Sequence, residues 1–265
     1  MRLHRLAKRL AGAVTALFAG SAVANSANCP RQYALGTSRV LAVDAETYPR
    51  VGLGSFPETL PLADHEVVLT FDDGPRPPNT EKVPTALAQK CVRATFFLVG
   101  RSPAAFPELV RRIATEGHTV GHHSWSHPMM SKIPLEQATE DIDRGIAADE
   151  LALNGVSITT PSANFFRFPY FDSPPAVLDH LKSRGIAVFG ADLWASDWAN
   201  ITPDRELRNL IERLTTARKG VILLHDAQAR TAATMPFLRY LHENDYRIVH
   251  LVPAAPTVTN AEIPP

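Results

Sequence analysis

Glu66-Val67-Val68-Leu69-Thr70-Phe71-Asp72-Asp73-Gly74-Pro75 runs from an apolar, β-branched segment straight into two acids and a Gly-Pro turn signal. A run this short, rich in Val, Thr and Phe and closed by turn formers, reads as a buried strand. Outward from it, comparable runs lie at 94–100, 118–122, 165–168, 186–191, 220–224 and 246–251. Longer stretches with helical spacing separate most of them, at 104–116, 135–153, 174–184, 204–218 and 231–243. Such alternation predicts an α/β fold of parallel strands joined by helical crossovers. The seven runs suit a closed or nearly closed barrel, with a doubly wound open sheet as the alternative.

The polar residues cluster just past the ends of these runs. Asp72 and Asp73 follow the first, His123 and His127 the third, and Arg167 ends the fourth. Asp192 and Asp197 follow the fifth, and His225 and Asp226 the sixth. In barrels and open parallel sheets alike, the carboxyl ends of the strands form the functional face, so these residues should meet at one rim.

The types present suit metal-assisted hydrolysis. His123 and His127 stand at i, i+4, and on a helical turn both imidazoles would face one way. A carboxylate from another strand end would complete a His₂Asp set with open positions, the mark of a catalytic rather than a structural zinc site. No Glu sits where a His-Glu-x-x-His protease helix needs one. His122 reads as a packing or hydrogen-bonding residue, and His4, His65, His180, His242 and His250 as structural. At a strand end, consecutive side chains point to opposite sides, so of Asp72 and Asp73 one can bind a cation while the other stays free as a base. The Asp-Asp-Gly-Pro string alone would read as a turn; the strand leading into it gives it weight. A lone His225 would read as a core histidine, but beside a metal and a base it can supply the acid that an amine leaving group needs.

The rest of the chain bounds compartment and partners. Arg2, Arg5, Lys8 and Arg9 precede an apolar stretch at 10–23, and Ala22-Val23-Ala24 fits a small-x-small cleavage site. Residues 1–24 therefore read as a signal peptide and the mature protein as exported, periplasmic or secreted. The apolar run is shorter than the roughly 20 residues a spanning helix needs, so no stable membrane insertion is expected after cleavage. Cys29 and Cys91 are the only cysteines; an oxidising compartment would let them bridge, and two buried thiols are the alternative. Lys plus Arg equal Asp plus Glu at 27 each, so no global field favours nucleic acid. Residues 25–64 read as an N-terminal extension lying over a domain at 65–252, and 253–265 as a loose tail. A monomer is expected.

Five short motifs resemble those of one family. Thr70-Phe71-Asp72-Asp73-Gly74-Pro75, His123-Ser124-Trp125-Ser126-His127-Pro128, Arg167-Phe168-Pro169-Tyr170, Asp197-Trp198 and Leu223-Leu224-His225 are similar, in order and spacing, to the signatures of the NodB-type polysaccharide deacetylases, carbohydrate esterase family 4. The resemblance covers roughly 66–251 and implies a distorted (β/α)7-type barrel. It implies that Asp73, His123 and His127 hold a divalent metal, most often Zn2+ and sometimes Co2+ or Ni2+. By the same resemblance Asp72 is the general base, held ionised and oriented by Arg167, and His225 is the acid, its charged form stabilised by Asp197. The backbone N–H of Tyr170 would help hold the oxyanion, and Trp198 and Leu223 would line the acetyl pocket. The implied reaction removes N-acetyl groups from N-acetylglucosamine units of a glycan; an O-acetyl esterase and a non-catalytic glycan-binding protein are the alternatives. Two positions depart from the pattern. Phe171-Asp172 follows Tyr170 where Gly is common, and Asp192 competes with Asp197 as the partner of His225.

Overall fold

β3 (Glu66–Asp72) is buried along its whole length, and the architecture grows from it. The computed structural model describes residues 34–226 and 236–255. On one edge β3 pairs with β4 (Thr95–Leu98), which continues through β5 (Thr119–His122) and β6 (Phe165–Phe166) to β7 (Ala187–Phe189). On its other edge lies β9 (Gly220–His225), and β8 (Leu193–Trp194) pairs with β9. All these pairings are parallel. Helices α1 (Asn79–Gln89), α2 (Arg101–Ala105), α3 (Pro107–Thr115), α4 (Leu135–Asn154), α5 (Pro175–Ser183), α6 (Pro203–Ala217) and α7 (Pro236–Glu243) provide the crossovers. All seven apolar runs lie on strands, and the fold is the α/β, (β/α)7-type barrel. β7 and β8 pair with different neighbours, which is where the barrel is distorted.

Side-chain alternation sorts β3 between two cores. Val67, Leu69 and Phe71 pack outward with helix residues such as Val83, Leu87, Leu210 and Leu214. Val68 packs inward with Phe97, Phe165, Phe189 and Val221. Asp72 shares the inward parity of Val68 and Thr70, so a carboxylate at the strand end is aimed at the barrel interior.

Three findings differ from the sequence reading. Residues 37–51 do not merely lie over the domain. β1 (Thr37–Val43) pairs in parallel with β10 (Arg247–Pro253), β2 (Arg50–Val51) pairs with β7, and Val43, Val51, Leu60 and Leu62 fill the inner core. The expected helix at 104–116 is two helices, broken at Phe106, which takes φ −134° and ψ 56°. Pro107 bars the residue before it from helical geometry and then starts α3 at its first position. α1, which carries Pro84 inside it, had no counterpart in the periodicity.

Residues 1–24 and Cys29 lie outside the described residues, as does most of the expected tail. Cys91 is disulfide-bonded. No described helix is long and apolar enough to cross a membrane.

Candidate active site

The rim at the carboxyl ends of the strands collects nearly every candidate. Asp72, Asp73, His123, His127, Tyr170, Trp198, Leu223 and His225 all line one cleft of about 500 Å³, together with Phe168 and Phe171. Register explains much of this. β3 pairs with β9 so that Asp72 stands opposite His225, and β5 with β6 so that His122 stands opposite Phe166. Side chains more than a hundred residues apart in sequence are thus neighbours on adjacent strands.

Beneath the cleft, Arg167 is fully buried inside the barrel. Its guanidinium donates to Asp72 Oδ1 at 2.7 Å, Thr70 Oγ1 at 2.8 Å, Gly190 O at 2.9 Å and Phe189 O at 3.2 Å, and it lies 4.3 Å from the centre of the Phe97 ring. A buried charge this well partnered fixes the Asp72 carboxylate rigidly. Burial raises the Asp72 pKa more than Arg167 and the nearby imidazoles lower it. A carboxylate shifted in that direction is a better proton acceptor near neutral pH.

His225 is the second charged group. Its Nδ1 donates to Asp197 Oδ1 at 2.8 Å and its backbone N–H to Asp197 Oδ2 at 2.6 Å, so the buried carboxylate holds both ring and backbone. Burial pulls the His225 pKa down, but the Asp197 hydrogen bond and charge, with help from Asp72 and Asp73, push it up to about 9. Trp198 stands edge-on to the His225 ring, with centroids 5.5 Å apart. Asp192, the other candidate partner, turns away. It accepts from Leu53 N at 2.8 Å, Thr59 Oγ1 at 2.7 Å and Val221 N at 2.7 Å, pinning the N-terminal segment to β9.

The remaining triad has the opposite character. One donor atom each from Asp73, His123 and His127 lie within 4.8 Å of one another, the one such cluster among the described residues. His127 Nε2 is 3.3 Å and His123 Nε2 3.7 Å from Asp73 Oδ1. That oxygen is buried without a hydrogen-bond donor. Burial pushes His123 down to about 3 and also lowers His127, in each case more than Asp73 raises them, which favours the neutral form of both rings. His123 Nδ1 donates to Arg167 O at 2.7 Å, which leaves the Nε2 lone pair facing Asp73. An orphaned carboxylate oxygen facing two neutral imidazoles is a donor set that fits a divalent cation.

The histidine pair converges for a different reason than helical spacing. Residues 123–129 form a loop after β5, with Ser124 and His127 in the left-handed region. Asp141 of α4 shapes this loop, accepting from Trp125 N, Ser126 N and Ser126 Oγ at 2.9, 3.1 and 2.6 Å. Gly145, one turn further on, admits the loop backbone: a Cβ there would meet Ser124 C at 2.5 Å. His122, read as a hydrogen-bonding residue, is fully buried and donates Nδ1 to Asp149 Oδ2 at 2.7 Å. Asp141, Gly145 and Asp149 were not read from sequence. Asp141 and Asp149 carry no local motif, and Gly145 only marks α4 as able to approach a backbone closely.

On the open side, Tyr170 and Phe171 both take φ 56°. Tyr170 stands edge-on to His127 with centroids 4.7 Å apart and is 64% exposed, an aromatic face beside the triad.

Comparison with known proteins agrees with this geometry. The family model for polysaccharide deacetylase matches residues 60–189. A chitooligosaccharide deacetylase of Bradyrhizobium is 35% identical over 161 residues, covering 60% of this chain and 70% of the relative. A peptidoglycan-N-acetylglucosamine deacetylase of Bacillus cereus is 34% identical over 151 residues, covering 57% of this chain and 53% of the relative. Among solved structures, a peptidoglycan deacetylase of Bdellovibrio bacteriovorus superposes with a TM-score of 0.74 at 28% identity, covering 85% of this chain and 62% of that one. The chain belongs to the polysaccharide deacetylase family. It spans about half the length of the Bacillus cereus relative.

Proposed function

We propose that this chain is a metal-dependent hydrolase that removes N-acetyl groups from N-acetylglucosamine units of an exported glycan, peptidoglycan or a chitooligosaccharide. The observation that carries this reading is the meeting, in one cleft, of an Asp-His-His donor set with an orphaned carboxylate oxygen, a rigidly held carboxylate and a histidine charged by a buried acid. Relatives with both kinds of substrate in their names support the substrate class.

In this reading Asp73, His123 and His127 hold the cation, and Zn2+ suits two imidazoles and a carboxylate best, with Co2+ or Ni2+ as substitutes. When bound, the cation polarises the acetyl carbonyl and lowers the pKa of water. Asp72 takes the proton from the attacking water, with Arg167 fixing its orientation. His225 gives a proton to the departing amine, and Asp197 keeps that imidazole in the charged form. The Tyr170 backbone N–H offers a donor to the developing oxyanion, and Leu223 and Trp198 enclose the acetyl methyl. An amide is favoured over an ester because an amine must be protonated to leave, which gives the raised His225 pKa a purpose. The basic and apolar N-terminal sequence supports export, which would bring the enzyme to such polymers.

The test is acetate release from chitooligosaccharides, peptidoglycan fragments and O-acetylated xylan, before and after chelation and after adding zinc back. Zinc-restored release from the N-acetylated substrates is the expected result. Release confined to the O-acetyl ester, or from none of the panel, would overturn the reading.

A further inference from the structure

A second, smaller cavity of about 60 Å³ shares Asp73 and His127 with the cleft and is otherwise lined by Arg76, Val99, Arg101 and Ser102. The two arginines come from different elements and are held there by their backbones. Arg76 follows the Asp73 turn, where its N–H donates to Thr80 Oγ1 at 2.6 Å and its carbonyl accepts from Asn79 N and Thr80 N. Arg101 follows β4, and its N–H donates to Trp125 O in the histidine loop at 3.3 Å.

Both side chains are exposed, and neither guanidinium forms an ion pair or hydrogen bond among the described residues. That sets them apart from Arg39, Arg111, Arg112, Arg184 and Arg218, each of which is paired with an acid. The one acid lining this cavity is Asp73, whose charge is engaged by the cation if the triad holds one. Two permanent positive charges then border the reaction centre without counter-charge from the protein.

We propose that Arg76 and Arg101 form an anion subsite that reads a carboxylate on a sugar neighbouring the one that loses its acetyl group. This rests on the deacetylase reading above and deepens it: the substrate class becomes an acidic amino-sugar glycan. A peptidoglycan-type strand from which the stem peptides have been removed carries a free lactyl-ether carboxylate on alternate sugars. One with its peptides attached has that carboxyl tied up as an amide, and a chitin-type strand has none. Guanidinium is planar, always charged and shaped to grip a carboxylate with two hydrogen bonds, so a pair of arginines distinguishes the free-carboxylate strand directly. Because both are solvent-exposed, the discrimination they supply is about tenfold for the pair. It should weaken as salt screens the charges.

The experiment compares a peptidoglycan-derived tetrasaccharide bearing lactyl carboxylates with N-acetylchitotetraose, on the zinc-loaded protein and its R76A/R101A and R76K/R101K variants. Calorimetric affinity and kcat/KM are both read, at low and high salt. The unmodified protein should favour the acidic oligomer by about tenfold at low salt, R76A/R101A should lose that preference, and R76K/R101K should keep part of it. Equal affinity of the unmodified protein for the two oligomers would overturn the subsite, as would an R76A/R101A variant that weakens both oligomers alike. Affinity decides this whether or not turnover occurs. Absence of acetate release from both oligomers would count against the deacetylase reading instead.

Discussion

The two halves of the cleft are built on opposite principles. On one side, Asp73, His123 and His127 sit on loops, with Asp73 and His127 in left-handed backbone and one carboxylate oxygen without a donor. On the other, Asp72 and His225 stand in register at the ends of adjacent strands, each charge matched by a buried partner, Arg167 or Asp197. A ligand-capturing set must leave its donor atoms unsatisfied, at a cost in stability. A proton-transferring set must instead fix orientation and protonation, which pairing and burial do well. Removing a partner should therefore damage the second half far more than the first.

The largest effect is expected from Arg167→Ala. It strips a buried carboxylate of the guanidinium that grips it at 2.7 Å, which costs about 3–5 kcal/mol. Urea denaturation should show that loss. A loss below about 1 kcal/mol would mean that Asp72 is not held by this charge.

Asp197→Asn tests the other pair through pH. His225 has its pKa raised in the folded state, so the pair contributes stability that is fully present below the ordinary histidine value near 6.5 and is lost as pH rises through about 9. The stability gap between the parent and Asp197→Asn should be widest on the acid side of that window and should close above it. The alkaline fall of acetate release should also move to lower pH in the variant. An alkaline limb that stays in place would remove His225 as the group responsible.

The smallest effect sharpens the comparison at the open edge. Phe171 occupies a left-handed position that glycine takes at no steric cost, so Phe171→Gly relieves strain while giving up side-chain contacts. Its stability should stay within about 1 kcal/mol of the parent. A loss well beyond that would make Phe171 a packing residue rather than a cleft wall.

Legibility in the sequence followed the physics of each element. β3, β4 and β9 are buried on both faces, or nearly so, and such strands announce themselves as continuous apolar runs. β1 is mostly half-buried and β2 and β8 are two residues each, too short or too mixed to carry a period. That is why a segment woven into the sheet looked like an extension. His123 and His127 were found by a spacing that suggested a helix, yet a loop shaped by Asp141 brings them together. Asp197 and Asp192 could not be told apart in sequence, because their partners are fixed by strand pairing between β8 and β9.

The central claim is that adjacent acids serve different halves, Asp73 the cation and Asp72 the proton. Bound zinc per chain and acetate release, measured side by side for Asp72→Asn and Asp73→Asn, test it most directly. Asp72→Asn should keep a full complement of zinc while turnover falls by about a hundredfold or more. Asp73→Asn should lose zinc first and recover part of its turnover when zinc is supplied in excess. Loss of zinc from Asp72→Asn, with zinc and turnover both retained in Asp73→Asn, would contradict the account.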